Sequence, residues 1–232
     1  MIKVGKAEDR GHANHGWLNT YHTFSFASYQ DPNHMGFRSL RVMNEDWVQP
    51  GQGFGTHGHK DMEIISYVLE GSIEHKDSIG NGSVLTPGMF QRMTAGSGVQ
   101  HSEFNPSKTD WLHFYQIWIL PESEALKPGY EERSFTREEK RNQLRLVASR
   151  HGESKSLLIH QDVLIYLSVL DEGNKLEYRL KPERYAWLQL INGRIKVNGD
   201  SMQPSDGLTI SEESELSISA LQSSEFMLFD LA

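Results

Sequence analysis

The sequence predicts an all-β chain of two similar domains joined by a short helix, and three observations predict it. Short runs of branched and aromatic residues recur along the 232 residues, each about the length of a strand. Gly, Asn, Asp and Pro separate these runs, as turns require. Few segments carry the periodicity of an amphipathic helix.

In chain order, the first domain supplies runs at Met62 to Leu69, Met89 to Met93 and Leu112 to Leu120. Pro50-Gly51, Gly80-Asn81-Gly82 and Pro87-Gly88 mark the turns between them. Pro121, Pro128 and Gly129 fall in a polar stretch with the composition of a linker. Thr136-x-x-Glu139 then forms a capping box, and the mostly charged residues after it predict a short connecting helix. The second domain supplies Val163 to Leu170, Tyr185 to Ile191 and Glu225 to Leu231. Asn192-Gly193 and Asn198-Gly199 flank the short run Arg194 to Val197, which predicts tight hairpins in series. Asp206-Gly207 stands where the first domain has Pro87-Gly88, a sign of duplication. The expected domains are residues 1–125 and 126–232.

Composition narrows the function classes. Hydrophobic residues make up 37% and charged residues 23%, the balance of a globular chain. A formal charge of −8 advertises no basic face for nucleic acid or anionic lipid. The first ten residues lack the apolar run of a signal peptide. Leu112 to Leu120 is too short to span a bilayer and is interrupted by His113 and Gln116. With no cysteine, disulfides, thiolate metal sites and cysteine nucleophiles are excluded together. A cytoplasmic, monomeric protein that touches neither membrane nor nucleic acid is the expectation.

The histidines point to a metal. Of the 11, all but His151 and His160 precede the linker. His57-Gly58-His59 lies just before one strand and His101-Ser102-Glu103 lies in another. Residues two apart in a strand project from the same face. Two neighbouring strands can therefore aim His57, His59, His101 and Glu103 at one point. Three neutral imidazoles and a carboxylate form a set for Fe(II), Mn(II), Co(II), Ni(II), Cu(II) or Zn(II) and a poor set for Ca²⁺ or Mg²⁺. Gly51, Gly53, Gly55 and Gly58 surround one triplet, and Gly96 and Gly98 precede the other; such glycines mark bulges or a close approach. Glu63 competes with Glu103 as the carboxylate. Parity leaves both open and leans to Glu103, which shares the face of His101 unless a bulge intervenes.

These residues carry a resemblance. Gly51, then His57-x-His59, Glu63 and Gly71, resembles the first cupin motif, and Gly98-x-x-His101-x-x-x-Asn105 resembles the end of the second. His12-Ala13-Asn14-His15-Gly16-Trp17-Leu18, His22-Thr23-Phe24-Ser25-Phe26, Tyr67-Val68-Leu69-Glu70-Gly71 and Met93-x-Ala95-Gly96-x-Gly98 are similar to the pirin family of bicupins. The similarity is dense over residues 8–120 and thinner after that. One departure stands out: pirins usually carry proline between the first two histidines, where this chain has Gly58.

The resemblance implies two jelly-roll barrels in tandem, the second a degenerate one that holds no metal. It implies one ion, Fe(II) first among the candidates, held by His57, His59, His101 and Glu103, with Glu63 in a structural role. It also implies quercetin 2,3-dioxygenase activity, with a flavonol and dioxygen as substrates. In that reaction Glu103 takes the 3-hydroxyl proton, and the heterocycle opens to a depside with loss of carbon monoxide. Eukaryotic pirins suggest the alternative of an iron-dependent, redox-sensing regulator acting through a protein partner.

The other residues read plainly. His12, His15 and His22 with Trp17, Phe24 and Phe26 form a folded segment packed on a barrel. His75 and His113 sit in strands with no partner at ligand spacing. His34, His151 and His160 carry no signal, and Glu212-Glu213-x-Glu215 reads as a solvated turn. Phe24, Phe26, Phe54 and Phe104 suit either an apolar slot for flat rings or a packed core.

Overall fold

A computed structural model describes all 232 residues. The chain begins with strand β1 (Ile2–Gly5). Then follow β2 (Gly11–Asn14), β3 (Leu18–His22), β4 (Leu40–Val48), β5 (Gly53–His59), β6 (Glu63–Glu70) and β7 (Ile73–Asp77). After them come β8 (Gly82–Leu85), β9 (Met89–Thr94), β10 (Val99–Phe104), β11 (Leu112–Ile119) and β12 (Gly129–Ser134). A single helical turn, α1 (Arg137–Lys140), separates these from β13 (Arg145–Ser149), β14 (Leu157–Leu158) and β15 (Val163–Leu170). The last strands are β16 (Lys175–Arg179), β17 (Tyr185–Asn192), β18 (Ile195–Val197), β19 (Asp200–Met202), β20 (Gly207–Ile210), β21 (Glu215–Ala220) and β22 (Ser224–Leu231).

The elements expected from sequence are present with ends moved by a residue or so, and Val163–Leu170 is unchanged. The capping box forms as the Thr136/Glu139 pattern requires. Glu139 N donates to Thr136 Oγ1 at 3.3 Å while Thr136 N donates to the Glu139 carboxylate at 2.8 Å. Asn198 and Gly199 both have positive φ, 49° and 100°, between the paired residues Val197 and Asp200. That is the backbone a two-residue hairpin turn demands.

Two compact units emerge. One comprises Gly11–Ser134 with Leu157–Gln161, the other Met1–Arg10, Phe135–Ser156 and Asp162–Ala232. Composition placed residues 126–134 with the second domain, yet β12 pairs with β9 from Gly129↔Thr94 to Ser134↔Met89. Likewise β1 pairs with β20, Ile2↔Ile210 through Gly5↔Gly207, which fixes the chain start in the C-terminal unit. Pairing over such separations leaves no trace in local composition.

Within the N-terminal unit, a sheet of order β12-β9-β6-β11-β4-β3-β2 packs on a four-stranded sheet, β5-β10-β7-β8. Val48, Val68, Ile73, Leu85, Leu112 and Phe114 fill one end of the barrel between them. The segment expected to pack on this barrel extends its sheet, β2 on β3 and β3 on β4. Gly96 shows how tightly the barrel closes. It holds φ +47°, and a Cβ there would lie 1.9 Å from the Leu126 carbonyl oxygen. Gly96→Ala is expected to destabilise the chain by about 2–4 kcal/mol, read as a lowered urea midpoint; an unchanged midpoint would contradict the contact.

The C-terminal unit repeats the plan. Its larger sheet contains the run β20-β17-β22-β15 and its smaller one β16-β21-β18-β19, which match β9-β6-β11-β4 and β5-β10-β7-β8 strand for strand. Leu188, Leu190, Leu208, Leu216, Ile218, Phe226 and Leu228 make its core. Where β5 carries two histidines, the equivalent β16 carries Leu176 and Tyr178, both packed against that core. The second barrel thus repeats the first with apolar and aromatic side chains at the positions of the two β5 histidines.

Candidate metal centre

The triplets come together because β5 and β10 are neighbours in antiparallel register. His101 lies directly opposite His57, and Val99 opposite His59. The register shifts between His101 and Glu103, so that Ser102 faces two residues of β5, Thr56 and Gly55. The extra residue lies on β5, and the pairing of β10 with β7 is unbroken from His101↔Asp77 to Phe104↔Glu74. Val99, His101 and Glu103 therefore all point inward and are buried, while Gln100 and Phe104 point out. The glycines have unequal parts in this. Gly53 lets the strands close up, since a Cβ there would lie 2.3 Å from the Glu103 carbonyl oxygen; at Gly58 only Val99 O comes within 4 Å, at 3.8 Å. Nothing in the packing demands glycine at position 58.

His57, His59 and His101 bring their ligand atoms within 4.8 Å of one another. His57 Nδ1 contacts the Gly55 carbonyl oxygen at 2.8 Å, which fixes the tautomer with the proton on Nδ1 and leaves the lone pair on Nε2. That Nε2 lies 3.0 Å from His101 Nε2. Two adjacent nitrogen ligands on bonds of about 2.1 Å stand at this kind of separation. Trp118 presents its ring to His59 at 4.9 Å, and Phe26 packs on Trp118 at 5.3 Å, so the His59 side is walled by aromatics.

Burial pushes His59 down to about 4, with His101 and His57 adding to the shift and Glu103 opposing it. Burial pushes His101 down to about 3, with His57 and His75 adding and Asp77 opposing. Both rings are neutral at pH 7, as metal ligands must be. Each has a folded pKa below that of the unfolded chain. Between about pH 4 and 6.5 the unfolded state therefore binds protons that the folded metal-free state does not. Metal-free protein is expected to lose stability on the order of a few kcal/mol as pH falls through that window. Urea titrations at a series of pH values check this, and stability that rises on acidification would refute it.

Glu103 is buried beside His101 and forms a second cluster of potential ligands with His101 and His75. Its Oε1 accepts hydrogen bonds from Gln91 Nε2 at 2.6 Å and Ser66 Oγ at 3.2 Å, and its Oε2 from Gln116 Nε2 at 3.1 Å. All three partners donate, as an ionised carboxylate requires. The Tyr130 hydroxyl lies 3.1 Å from Gln91 Oε1 and 2.7 Å from the Glu132 carboxylate, its closer acceptor. Across the barrel, burial pushes Asp46 up to about 7; a bond from Thr20 opposes this, and Glu103 and Glu45 add to it.

Two histidines read as bland have defined places. His75 is fully buried opposite Glu103, with Nε2 3.2 Å from the Asp77 carboxylate and its ring stacked on Tyr130. Its partners at ligand distance, His101 and Glu103, come from the neighbouring strand β10. His160 supplies Nδ1 to Glu63 Oε1 at 3.0 Å. Thr94 donates to Glu63 Oε2 at 3.1 Å, and Arg92 Nε stands 3.9 Å away. Burial raises Glu63, with Arg92, His160 and Thr94 opposing. Glu63 belongs to neither cluster of potential ligands. His113 contacts Glu45 at 3.0 Å and stacks on Trp47, outside the cluster. Phe24 is core and Phe104 faces outward, so neither lines a slot over the histidines.

Comparison with known proteins gives the family of the chain. The pirin family model matches residues 4–119, and the model described as "Quercetinase C-terminal cupin domain" matches residues 146–231. The chain is 50% identical over 231 residues to "Quercetin 2,3-dioxygenase" of Escherichia coli strain K12, covering 100% of this chain and 99% of the relative. It is 38% identical over 233 residues to the "Pirin-like protein" of Caulobacter vibrioides, covering all of both. The crystal structure of the bacterial pirin YhhW from E. coli in complex with nickel(II) superimposes with a TM-score of 0.96 at 50% identity, over 100% of this chain and 99% of that one. A quercetin 2,3-dioxygenase structure from Acinetobacter baumannii shares the fold, with a TM-score of 0.80 at 21% identity over 98% of this chain and 85% of that one. With a barrel in each half, a histidine cluster in the first only, and identity to curated relatives running the full length of both, this chain belongs to the pirin family of bicupins.

Proposed function

We propose that this chain is a metal-dependent dioxygenase that opens the heterocyclic ring of flavonols such as quercetin, converting flavonol and dioxygen to a depside and carbon monoxide. The observation that carries it is the cluster of three neutral imidazoles on the inner face of the first barrel with a buried carboxylate beside it. The name of the E. coli relative and the nickel(II) complex of YhhW support the same reading. His57, His59, His101 and Glu103 are the proposed ligands of one divalent transition metal, Fe(II) first, with Mn, Co, Ni, Cu and Zn compatible with the same donors. When bound, the ion supplies Lewis acidity toward a substrate oxygen and, for a redox-active metal, reactivity toward dioxygen.

The chain's own residues supply the rest. Gln91, Ser66 and Gln116 hold the Glu103 carboxylate, and Oε2 has a single donor against two on Oε1. Oε2 is thus the oxygen with capacity to accept the 3-hydroxyl proton of a flavonol. The ring pair Phe26 and Trp118 keeps the His59 side apolar, which strengthens each polar contact made there.

The test is reconstitution of metal-stripped protein with each metal in turn, followed by oxygen uptake and carbon monoxide release on quercetin. The expected result is metal-dependent uptake with one carbon monoxide released per dioxygen consumed. Tight binding of the metal with no uptake on any flavonol would overturn the reading.

A further inference from the structure

Two acceptors that face into the first barrel receive no hydrogen bond from the chain. β4 and β11 run antiparallel, with Val48 opposite Leu112, Asp46 opposite Phe114 and Asn44 opposite Gln116. Val48, Leu112 and Phe114 belong to the core at one end of the barrel. Asp46 and Asn44, at alternate positions back from Val48, therefore point inward with it. Both are enclosed, at 3% and 2% exposure. Thr20, opposite Asp46 on β3, gives that carboxylate one hydrogen bond. Asp46 Oδ1 and Asn44 Oδ1 have no donor. On the same face Trp118, two residues beyond Gln116, holds an enclosed indole N–H with no acceptor.

Buried polar groups are nearly always satisfied, so unsatisfied neighbours on one inner face ask for a ligand. Their place says what kind. Gln116, across the ladder from Asn44, is the residue that donates to Glu103 Oε2 at 3.1 Å. Residues opposite each other on paired strands stand about 5 Å apart at Cβ, and two steps along a strand add about 6.5 Å. The two acceptors thus continue the line that starts at the Glu103 carboxylate, at the reach of further points on one small molecule. The walls beside that line carry flat rings. Phe114 lies next to Asp46, and Trp118 packs against Phe26 at 5.3 Å and His59 at 4.9 Å. A molecule that lies against rings and donates hydrogen bonds at separate points is an aryl compound bearing several hydroxyls.

We propose that Asn44 and Asp46 select the substrate, accepting hydrogen bonds from the ring hydroxyls of a polyhydroxylated flavonol while Glu103 takes the 3-hydroxyl proton. Such selection presupposes the flavonol dioxygenase proposed above. A site built to hydrogen-bond a hydroxyl rejects the analogue that lacks it, because the buried acceptors are then left unpaired.

Anaerobic titration of the full-length protein loaded with Zn(II) tests it, with quercetin and with 3-hydroxyflavone, which keeps the 3-hydroxyl and lacks the others. Wild type is expected to bind quercetin about tenfold or more tighter than 3-hydroxyflavone. Asn44→Leu and Asp46→Leu are each expected to cut that preference to about threefold or less, by weakening quercetin alone. Asp46→Asn keeps the side-chain volume and an acceptor for Thr20, so it guards against misfolding of the leucine variant; it is expected to lower the preference about threefold. Zinc content near wild type confirms that each variant is folded. Failure of wild type to bind either flavonol would overturn this proposal and the flavonol dioxygenase together. Equal binding of the two by wild type, or a preference that survives in the folded variants, would overturn this proposal alone.

Discussion

His101→Ala is expected to leave a folded chain that holds no metal ion and takes up no oxygen with any flavonol. The residue is central to the cluster: its Nε2 stands 3.0 Å from His57 Nε2, and its ring centroid 4.5 Å from His57, 4.9 Å from His59 and 5.4 Å from His75. Without His101, β10 keeps only Glu103, which clusters with His101 and His75 and not with the two histidines of β5. Metal content of protein loaded with iron should fall from about one equivalent to below about a tenth, and turnover should fall about a thousandfold or more. His101 is 1% exposed, so its removal also leaves a cavity. His57→Ala controls for that, because His57 is only half-buried and its loss is expected to strip the ion with little effect on packing. Metal analysis and near-ultraviolet circular dichroism on both variants decide the matter. Retention of one equivalent in either folded variant would show that the ion lies elsewhere.

The triplets were legible in the sequence because strand alternation is a local rule. Two residues apart means one face, and the burial of Val99, His101 and Glu103 against the exposure of Gln100 and Phe104 follows from it. The bulge that threatened this reading does occur, but the extra residue lies on β5 and leaves the parity of β10 intact. Duplication was legible for a similar reason, since turn residues announce themselves locally: Asp206-Gly207 stands at the entry to β20 where Pro87-Gly88 stands at the entry to β9.

What the sequence hid was set by pairing between distant strands. His75 carried no motif, yet the β7–β10 register puts it opposite Glu103. His160 looked isolated because its partner Glu63 is far off in the chain. The same cause moved the ends of the domains, where β1 joins β20 and β12 joins β9. Glu63 itself was ambiguous on parity alone. Three partners, Thr94, His160 and Arg92, give it a structural place that no spacing rule could supply.

That contrast between two buried glutamates makes the second large prediction. Glu103→Gln is expected to cut kcat about a thousandfold and to weaken metal binding about tenfold or more. The amide keeps the shape of the side chain. Its oxygen can still accept from Gln91 and Ser66. Its nitrogen then faces Gln116 Nε2, which must turn over to present an oxygen, so the fold is expected to lose only about 1 kcal/mol. What disappears is the negative charge and the lone pair of Oε2, the proposed proton acceptor. Glu63→Gln should give the opposite pattern. It removes the counter-charge of Arg92 and the partner of His160, at a cost of about 1–3 kcal/mol in stability, while metal affinity and kcat change less than about threefold. Measuring metal affinity, kcat and the urea midpoint for both variants separates the roles. If Glu63→Gln strips the metal while Glu103→Gln keeps both metal and turnover, Glu63 is the ligand, and the carboxylate beside His101 is a packing residue.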